Sequence, residues 1–322
     1  MNSVYEASVA YAFAKTLGNS FLRPASLRCQ LSIFHNFFFM QFCSALLPRR
    51  IPVSRVDHPL DLKIPFAPKW VNVYTDFVPY WIRALTFILR NFGRRSLGAA
   101  REFIVAMGRL YAFAGEVYGK NLSTTDRPFY VARPKFFAIH LLDPHLMCIP
   151  SLHVAVVVFA HAKFAAMLEG LGAAEKHAAQ IEEMRRGALA ICRAILFVKQ
   201  HSVNCIGASL YAMTRFDPEL FPPGRVEEIC GALFDEPPPA LLPATRCVRV
   251  FDPGAEGPRP SCSARACAKC PFAVPEAGLP AADAAEIVAH VGASLRGFIE
   301  EGKTAKSWEE PILNFLRRMP RA

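Results

Sequence analysis

The sequence predicts an all-α protein, a helical bundle with several membrane-embedded helices, and three observations support this class. Hydrophobic residues make up 52% of the 322 residues and charged residues only 20%, so the chain can fill a large core and also place helices in lipid. The 20 residues between Arg28 and Arg49 include no Asp, Glu, Lys or Arg. Four later segments are apolar and of helical length, at 70–89, 103–118, 151–168 and 187–213.

The uncharged stretch has the length of a helix that crosses the hydrocarbon core of a bilayer, about 20 residues. We therefore expect a transmembrane or membrane-embedded helix there, with a buried helix of a soluble bundle as the alternative. Each later segment carries one or two charged residues, which in a membrane would face the bundle interior or the interface. These features predict a multi-pass protein of an inner or cytoplasmic membrane. Basic residues flank the first stretch on both sides, so its orientation stays open.

Composition divides the chain into three parts. They are an N-terminal segment with the uncharged helix at 1–59, a helical core at 60–215, and a C-terminal extension containing many prolines and cysteines at 216–322. Prolines crowd between residues 217 and 280, where regular structure is not expected. Beyond them, apolar residues at helical spacing predict a helix over 281–301, and a short helix is expected over 308–319.

The net charge of +10 favours a polyanion or an anionic membrane surface as partner. Nucleic acid is not expected, because the chain has no run of five or six basic residues and no zinc-finger or RNA-binding motif. A glycine-rich phosphate loop and a dinucleotide fingerprint are also missing from the sequence, so no cofactor is expected.

Ten cysteines are present, but the first 25 residues lack the pattern of a cleavable signal peptide, so we do not expect a disulfide framework. Four cysteines of the C-terminal extension include one Cys-x2-Cys pair and could complete a tetrahedral zinc site; they are Cys247, Cys262, Cys267 and Cys270. Their other spacings match no standard zinc module, so free or redox-active thiols are the favoured interpretation and a structural metal is the weaker one.

Three clusters of polar residues carry the chemistry. They are Lys120 with Arg127 and Pro128, then Pro150-Ser151-Leu152-His153, then Lys199-Gln200-His201 followed by Asn204 and Cys205. Fixed cations such as those of the first and third clusters neutralise the oxygens of a phosphate ester. Ser151 begins an apolar helical run, where Ser is a favoured cap and free N–H groups can face a bound phosphate. Two histidines suit a nucleophile and a general acid near neutral pH.

This arrangement resembles the type 2 phosphatidic acid phosphatase superfamily. The pattern of that superfamily is Lys-x6-Arg-Pro, then Pro-Ser-Gly-His, then Ser-Arg-x5-His-x3-Asp. The first motif matches in full, the second matches except at Leu152, and His201 matches the histidine of the third. The segment Ile64-Pro65-Phe66-Ala67-Pro68 and the Lys-Gln-His form of the third motif are similar to the membrane branch related to inositol-phosphoceramide synthases. The resemblance spans about residues 60 to 213.

The resemblance implies a helical bundle, metal-independent chemistry and a role for each matching residue. His201 would attack phosphorus to form a phosphohistidine, and His153 would protonate the leaving oxygen. Lys120, Arg127 and Ser151 would hold the phosphate oxygens.

The third motif departs from the superfamily pattern. Ala194-Ile195 stands where Ser-Arg is expected, and Lys199 is the candidate replacement for that arginine. Cys205 stands where the superfamily has the Asp that orients the nucleophilic imidazole. Asn204 is one helical turn from His201 and could orient its ring without supplying a charge.

The sequence thus predicts a phosphatase that hydrolyses a phosphate ester, most readily a lipid, through a phosphohistidine. Three alternatives stay open: a lipid phosphoryl-headgroup transferase, an inactive relative that binds anionic lipid or a membrane partner, and a soluble phosphatase or haloperoxidase-like member. The missing Asp at Cys205 is the observation that favours an inactive relative.

Overall fold

A computed structural model of the chain describes residues 3–47, 51–235 and 279–322, and these residues are mostly helical. The described helices, numbered here in chain order, are α1 Val9–Gly18, α2 Arg23–Ile33, α3 Met40–Leu46, α4 Val71–Tyr74, α5 Phe77–Phe92, α6 Leu97–Tyr118, α7 Pro134–Leu142, α8 Leu152–Gly170, α9 Ala178–Phe197, α10 Val203–Phe216, α11 Pro223–Gly231, α12 Ala281–Gly302 and α13 Glu310–Arg318. Two three-residue strands, β1 Val53–Arg55 and β2 Leu122–Thr124, form a parallel pair. This helical content confirms the predicted all-α class.

Helix α8 is the central element of the core. Its sequence is apolar on all sides, as expected of a fully buried helix, and it packs against α5, α6, α9 and α10. Of the described helices, α8 alone is long and apolar enough to cross a membrane, and most of it lies inside the protein. The expectation of several membrane-embedded helices therefore stays a prediction.

The uncharged stretch forms a continuous helical rod in which a π-helical segment, Phe34–Phe39, joins α2 to α3. The rod packs closely on α6 because small residues allow the approach. A Cβ atom at Gly108 would lie 3.0 Å from the Cα atom of Cys29. The hydroxyl of Ser32 also donates a 2.6 Å hydrogen bond to the Gly108 carbonyl. The side of the predicted N-terminal helix that faces α6 is therefore buried.

The strand pair fixes the loop that enters α8. The N–H of Ser123 in β2 donates to the Leu146 carbonyl at 3.0 Å, and the N–H of Cys148 donates back to the Ser123 carbonyl at 3.2 Å. The Ser123 hydroxyl accepts from the N–H of Ile149 at 2.8 Å, and a cis peptide bond links Ile149 to Pro150. Hydrogen bonds to β2 thus fix the residues that lead into Pro150-Ser151-Leu152-His153, just before α8 begins.

The C-terminal helices join the same core. The predicted helix over 281–301 is confirmed as α12, whose apolar side lies buried against α10. The short helix expected over 308–319 is confirmed as α13. The division of the chain at residue 215 stays a prediction. The four cysteines of the weaker zinc interpretation lie outside the described residues.

Candidate functional site

Two tight turns bring His153 and His201 together. Ser151 is the extended residue before α8, so His153 lies in the first turn of that helix. His201 lies between α9 and α10, in a turn where Lys199 adopts a left-handed conformation with φ of 56°. The N–H groups of Gln200 and His201 both donate to the Ile195 carbonyl, at 3.0 and 3.2 Å. The two imidazole ring centroids are 5.3 Å apart.

Both histidines are buried, and each has an unsatisfied ring nitrogen. Each residue is only 8% exposed. The His153 ring packs between the rings of Tyr74 and Phe77, with centroid distances of 4.3 and 4.1 Å. Within the described part of the chain, neither His153 Nε2 nor His201 Nδ1 has a hydrogen-bond partner. Buried polar atoms are rarely left unpaired, so these two nitrogens are free to bond a polar ligand or water.

Ser151 stands beside the nucleophile candidate. Its Oγ lies 3.5 Å from His201 Nε2, and its side chain makes no capping hydrogen bond to α8. Its backbone N–H donates to the Ser209 hydroxyl at 2.6 Å, which in turn donates to the Cys205 carbonyl at 2.6 Å. The Ser151 backbone is therefore fixed by α10, while its hydroxyl stays available on the histidine side.

Arg127 is fixed next to the His201 turn. Its Nη1 donates to Gln200 Oε1 at 3.1 Å, and its Nη2 donates to the Asp143 carbonyl at 2.9 Å. The Asp143 carboxylate is 3.8 Å from Nη1. The side chain of Arg127 is only 16% exposed. Arg127, a predicted phosphate ligand, is thus hydrogen-bonded to Gln200, the residue before His201.

A third histidine, His145, belongs to this region. His145 has a φ of 61° and is buried. Its Nε2 lies 2.8 Å from the Thr125 hydroxyl and 3.8 Å from the Cys148 thiol. No motif pointed to His145, or to the Tyr74 and Phe77 rings around His153. Gln200 was visible only as the middle residue of Lys-Gln-His.

The two predicted lysine ligands lie elsewhere in the structure. Lys120 follows the end of α6 and forms an ion pair with the buried Glu309, just before α13. The Lys199 ammonium group donates to the backbone carbonyl of Asp61. Among the described residues, neither lysine is hydrogen-bonded to His153 or His201. Of the three predicted cationic ligands, Arg127 is the one hydrogen-bonded to the residue next to His201.

The two residues proposed to orient His201 also make other contacts. Asn204 donates through Nδ2 to the Val56 carbonyl at 3.1 Å, and its Oδ1 lies 2.9 Å from His290 Nε2. The Cys205 side chain is fully buried, and burial raises the pKa of its thiol well above the ordinary value. Cys205 is therefore a neutral thiol. No carboxylate is hydrogen-bonded to His201 Nδ1 within the described part of the chain.

Burial controls the protonation of the site. It lowers the pKa of His201 to about 4, against a smaller opposing effect of the Cys148 backbone. It also lowers the pKa of His153 well below the ordinary value, and the charges of His201 and His145 add to that effect. Burial also lowers the pKa of His145, and the charge of Arg127 lowers it further. All three imidazoles are therefore neutral near pH 7.

This arrangement can bind an anion and transfer protons with it. A phosphate group bound by the Ser151 hydroxyl would lie beside Nε2 of His201, with Arg127 hydrogen-bonded to the adjacent Gln200. Its negative charge would raise the pKa of both histidines. Across residues 3–47, 51–235 and 279–322, no group of three or more His, Cys, Asp or Glu side chains is arranged to hold a metal ion.

Comparison with protein-family models, with curated proteins and with solved structures finds no match to this chain.

Proposed function

We propose that this protein hydrolyses a phosphate ester through a phosphohistidine at His201. One observation carries the proposal: two buried histidines from separate turns lie 5.3 Å apart, and the Ser151 hydroxyl lies 3.5 Å from the ring of one of them. A structural histidine in a core normally has its ring nitrogens satisfied. Here one nitrogen of each ring has no partner among the described residues.

His201 and His153 have separate roles in the proposed reaction. A neutral His201 nitrogen attacks phosphorus, the P–N bond forms, and the bond to the leaving oxygen breaks. His153, protonated in the presence of the bound anion, gives its proton to that oxygen. Water then attacks phosphorus and passes a proton to His153 as the P–N bond breaks, which releases phosphate and restores both rings. Ser151 and Arg127 stabilise the charge on the phosphoryl oxygens.

We further propose that the ester is a lipid and that the protein works at a membrane. The resemblance to the phosphatase superfamily supports the lipid, and the net charge of +10 supports a negatively charged surface. Transfer of the phosphoryl group or headgroup to a second acceptor would use the same first step. The unpaired His201 Nδ1 favours a second candidate, a binding-only relative, because no carboxylate stabilises the charged imidazole.

Phosphate release from the detergent-solubilised full chain tests the proposal. The panel comprises lipid phosphates and one water-soluble aryl phosphate, with His201→Gln measured beside the wild-type chain. We expect release that disappears in the variant. Folded protein that binds a lipid phosphate but releases nothing from any substrate would support the binding-only relative. Release unchanged in His201→Gln would exclude the proposed nucleophile.

A further inference from the structure

We propose that the α2–α3 rod seats the protein on the surface of an anionic phospholipid bilayer, as an interfacial element that does not span it. The rod exposes large apolar side chains to solvent, and we call this set the N-terminal apolar face. Its members are Leu27, Leu31, Phe34, Phe38, Phe39, Leu46 and Leu47. Leu31 is 67% exposed, Phe34 60% and Leu46 77%. Contiguous exposed apolar surface of this kind marks an interaction site.

The face follows from helical spacing. Arg23, Leu27 and Leu31 are four residues apart along α2, and Phe34 and Phe38 continue the same side into the π-helical segment. The opposite side of the rod is fixed on α6 by the close approach at Gly108 and by the contact of Phe37 with Tyr111, whose ring centroids are 6.5 Å apart. The exposed side is therefore the outer surface of a firmly packed element.

Charge identifies the partner. Between Glu6 and Asp57 the sequence contains no acidic residue but six basic ones, at positions 15, 23, 28, 49, 50 and 55. Arg23 and Arg28 are exposed on α2, where the apolar face begins. An apolar strip on a rod whose own charged residues are both basic complements the acyl boundary and headgroups of an anionic leaflet. It is less suited to a protein partner with mixed charge.

A second exposed apolar cluster adjoins the rod. It lies in and before α7, and its members are Phe129, Val131, Phe137, Leu141 and Leu142. Residues of α3 and of the loop directly after α7 line one groove, so the two clusters are neighbours. Between α3 and the loop at 144–146 an apolar groove of about 860 Å³ continues the surface inward, and Phe39 and Leu47 line it. The combined surface borders the segment that carries Arg127 and His145.

The surroundings of the rod fit an interfacial position. The exposed side of α6, which supports the rod, carries Arg101, Glu102, Arg109 and Glu116. Hydrocarbon around this bundle would have to enclose those charges, which is unfavourable for each one at the bilayer centre. Contact on one side, with the charges of α6 left in water, avoids that cost.

Vesicle flotation of the full chain tests the proposal. The probes are vesicles of phosphatidylcholine alone and of phosphatidylcholine with phosphatidylserine, at low and at high salt. The test variant is Leu31→Gln/Phe34→Gln, which keeps the net charge. The control is Leu62→Gln, because Leu62 is 89% exposed but lies outside the face, in the turn at Pro59–Lys63. Circular dichroism verifies that each variant is folded.

We expect the wild-type chain and Leu62→Gln to float with anionic vesicles, less so at high salt, and to be released by alkaline carbonate. The double variant should bind about tenfold more weakly or worse, because two large apolar side chains no longer enter lipid. The proposal would be overturned if the wild-type protein did not bind anionic vesicles, or if the double variant bound them as well as the control does. Resistance to carbonate would indicate a spanning helix instead, and a stable dimer lost in the double variant would assign the face to a second copy.

This proposal is independent of the proposed chemistry. Hydrolysis of a water-soluble aryl phosphate should be the same in the double variant and in the wild-type chain, since no residue of the face touches His153 or His201. Vesicle binding should likewise be unchanged in His201→Gln. A failure of one assay thus leaves the other interpretable.

Discussion

The hydroxyl of Ser151 lies 3.5 Å from Nε2 of His201, while Nδ1 of the same ring has no partner within the described part of the chain. One side of the imidazole therefore faces the residue expected to hold a phosphoryl oxygen. The other side lacks the carboxylate that the phosphatase superfamily provides. The two sides of the proposed nucleophile therefore differ, and this asymmetry determines what each variant should do.

Replacing either histidine should remove most of the activity. We expect His201→Gln to lower kcat to background, because glutamine cannot form the covalent intermediate. His153→Gln should lower kcat about 10²–10⁴-fold for poor leaving groups, as for the loss of a general acid, and much less for an aryl phosphate that needs no proton. Steady-state phosphate release on both substrate types measures this difference.

His161→Gln is the matched control for these variants. His161 lies on α8 like His153, and its pKa is also lowered to about 4, mainly by burial. The charges that act on it are those of Arg225, Arg185 and Glu182, which are not site residues. Activity should be unchanged in His161→Gln. An equal loss in all three variants would indicate general destabilisation of α8 and would contradict the assigned roles.

Arg127 and Lys120 should behave differently, although the sequence motif pairs them. We expect Arg127→Gln to raise KM about tenfold or more, since a charged hydrogen bond to phosphate contributes about 1.5–3 kcal/mol. Lys120→Gln should change KM less than about twofold but lower the melting temperature, because it leaves the buried Glu309 without its ion-pair partner. Kinetics and thermal melts of both variants measure the contrast. A larger KM effect in Lys120→Gln would place the phosphate elsewhere.

Cys205→Asp restores the carboxylate of the superfamily motif. We expect a rise in kcat of about tenfold, because the resemblance assigns this position to the carboxylate that stabilises the imidazolium character of the transition state. The same change buries a carboxyl group at a fully buried position, so the free energy of unfolding should fall. The double variant Cys205→Asp/His201→Gln should be inactive. A rise in activity that survives in the double variant would refute the explanation.

Acid should destabilise the protein through its buried neutral histidines. The folded-state pKa of His201 is about 4, below the unfolded value of about 6.5. Because the unfolded chain binds the extra proton, the stability contributed by this group is complete above about pH 6.5. It is lost progressively as the pH falls toward 4, to a total of about 3 kcal/mol.

Urea unfolding at several pH values measures this linkage. The free energy of unfolding of His201→Gln should fall less between pH 7 and pH 4 than that of the wild-type chain, by up to about 3 kcal/mol. Above pH 7 the gap between the two proteins should be constant. Parallel pH profiles throughout would show that His201 is not held neutral by burial.

The sequence could predict the parts that depend on local pattern. Helical spacing of apolar residues located α12 and α13, and the Pro-Ser-x-His motif located a helix start because Ser151 precedes an uninterrupted apolar run. The pairing of His153 with His201 followed from the resemblance, and the structure brings the two rings together. The helices and the helix start are set by residues within a few positions of one another, whereas the histidine pair was expected only from the resemblance.

The rest depends on distant contacts that no local pattern records. Lys120 and Glu309 are 189 positions apart, and their ion pair forms because α13 packs near the end of α6. Asn204 binds His290 of α12 and so is not available to His201. His145 enters the site region because β2 fixes the loop before α8. Long-range packing, which sequence spacing cannot specify, therefore determined which polar residues reached the histidine pair.

Detection of the covalent intermediate tests the central claim most directly. The full chain is mixed with a phosphate ester carrying labelled phosphorus, quenched in alkali and digested, and the labelled peptide is identified. The account predicts an acid-labile, alkali-stable phosphoryl group on His201 that is absent from His201→Gln and present in His161→Gln. Phosphate release without any labelled histidine, or with the label on another residue, would contradict it.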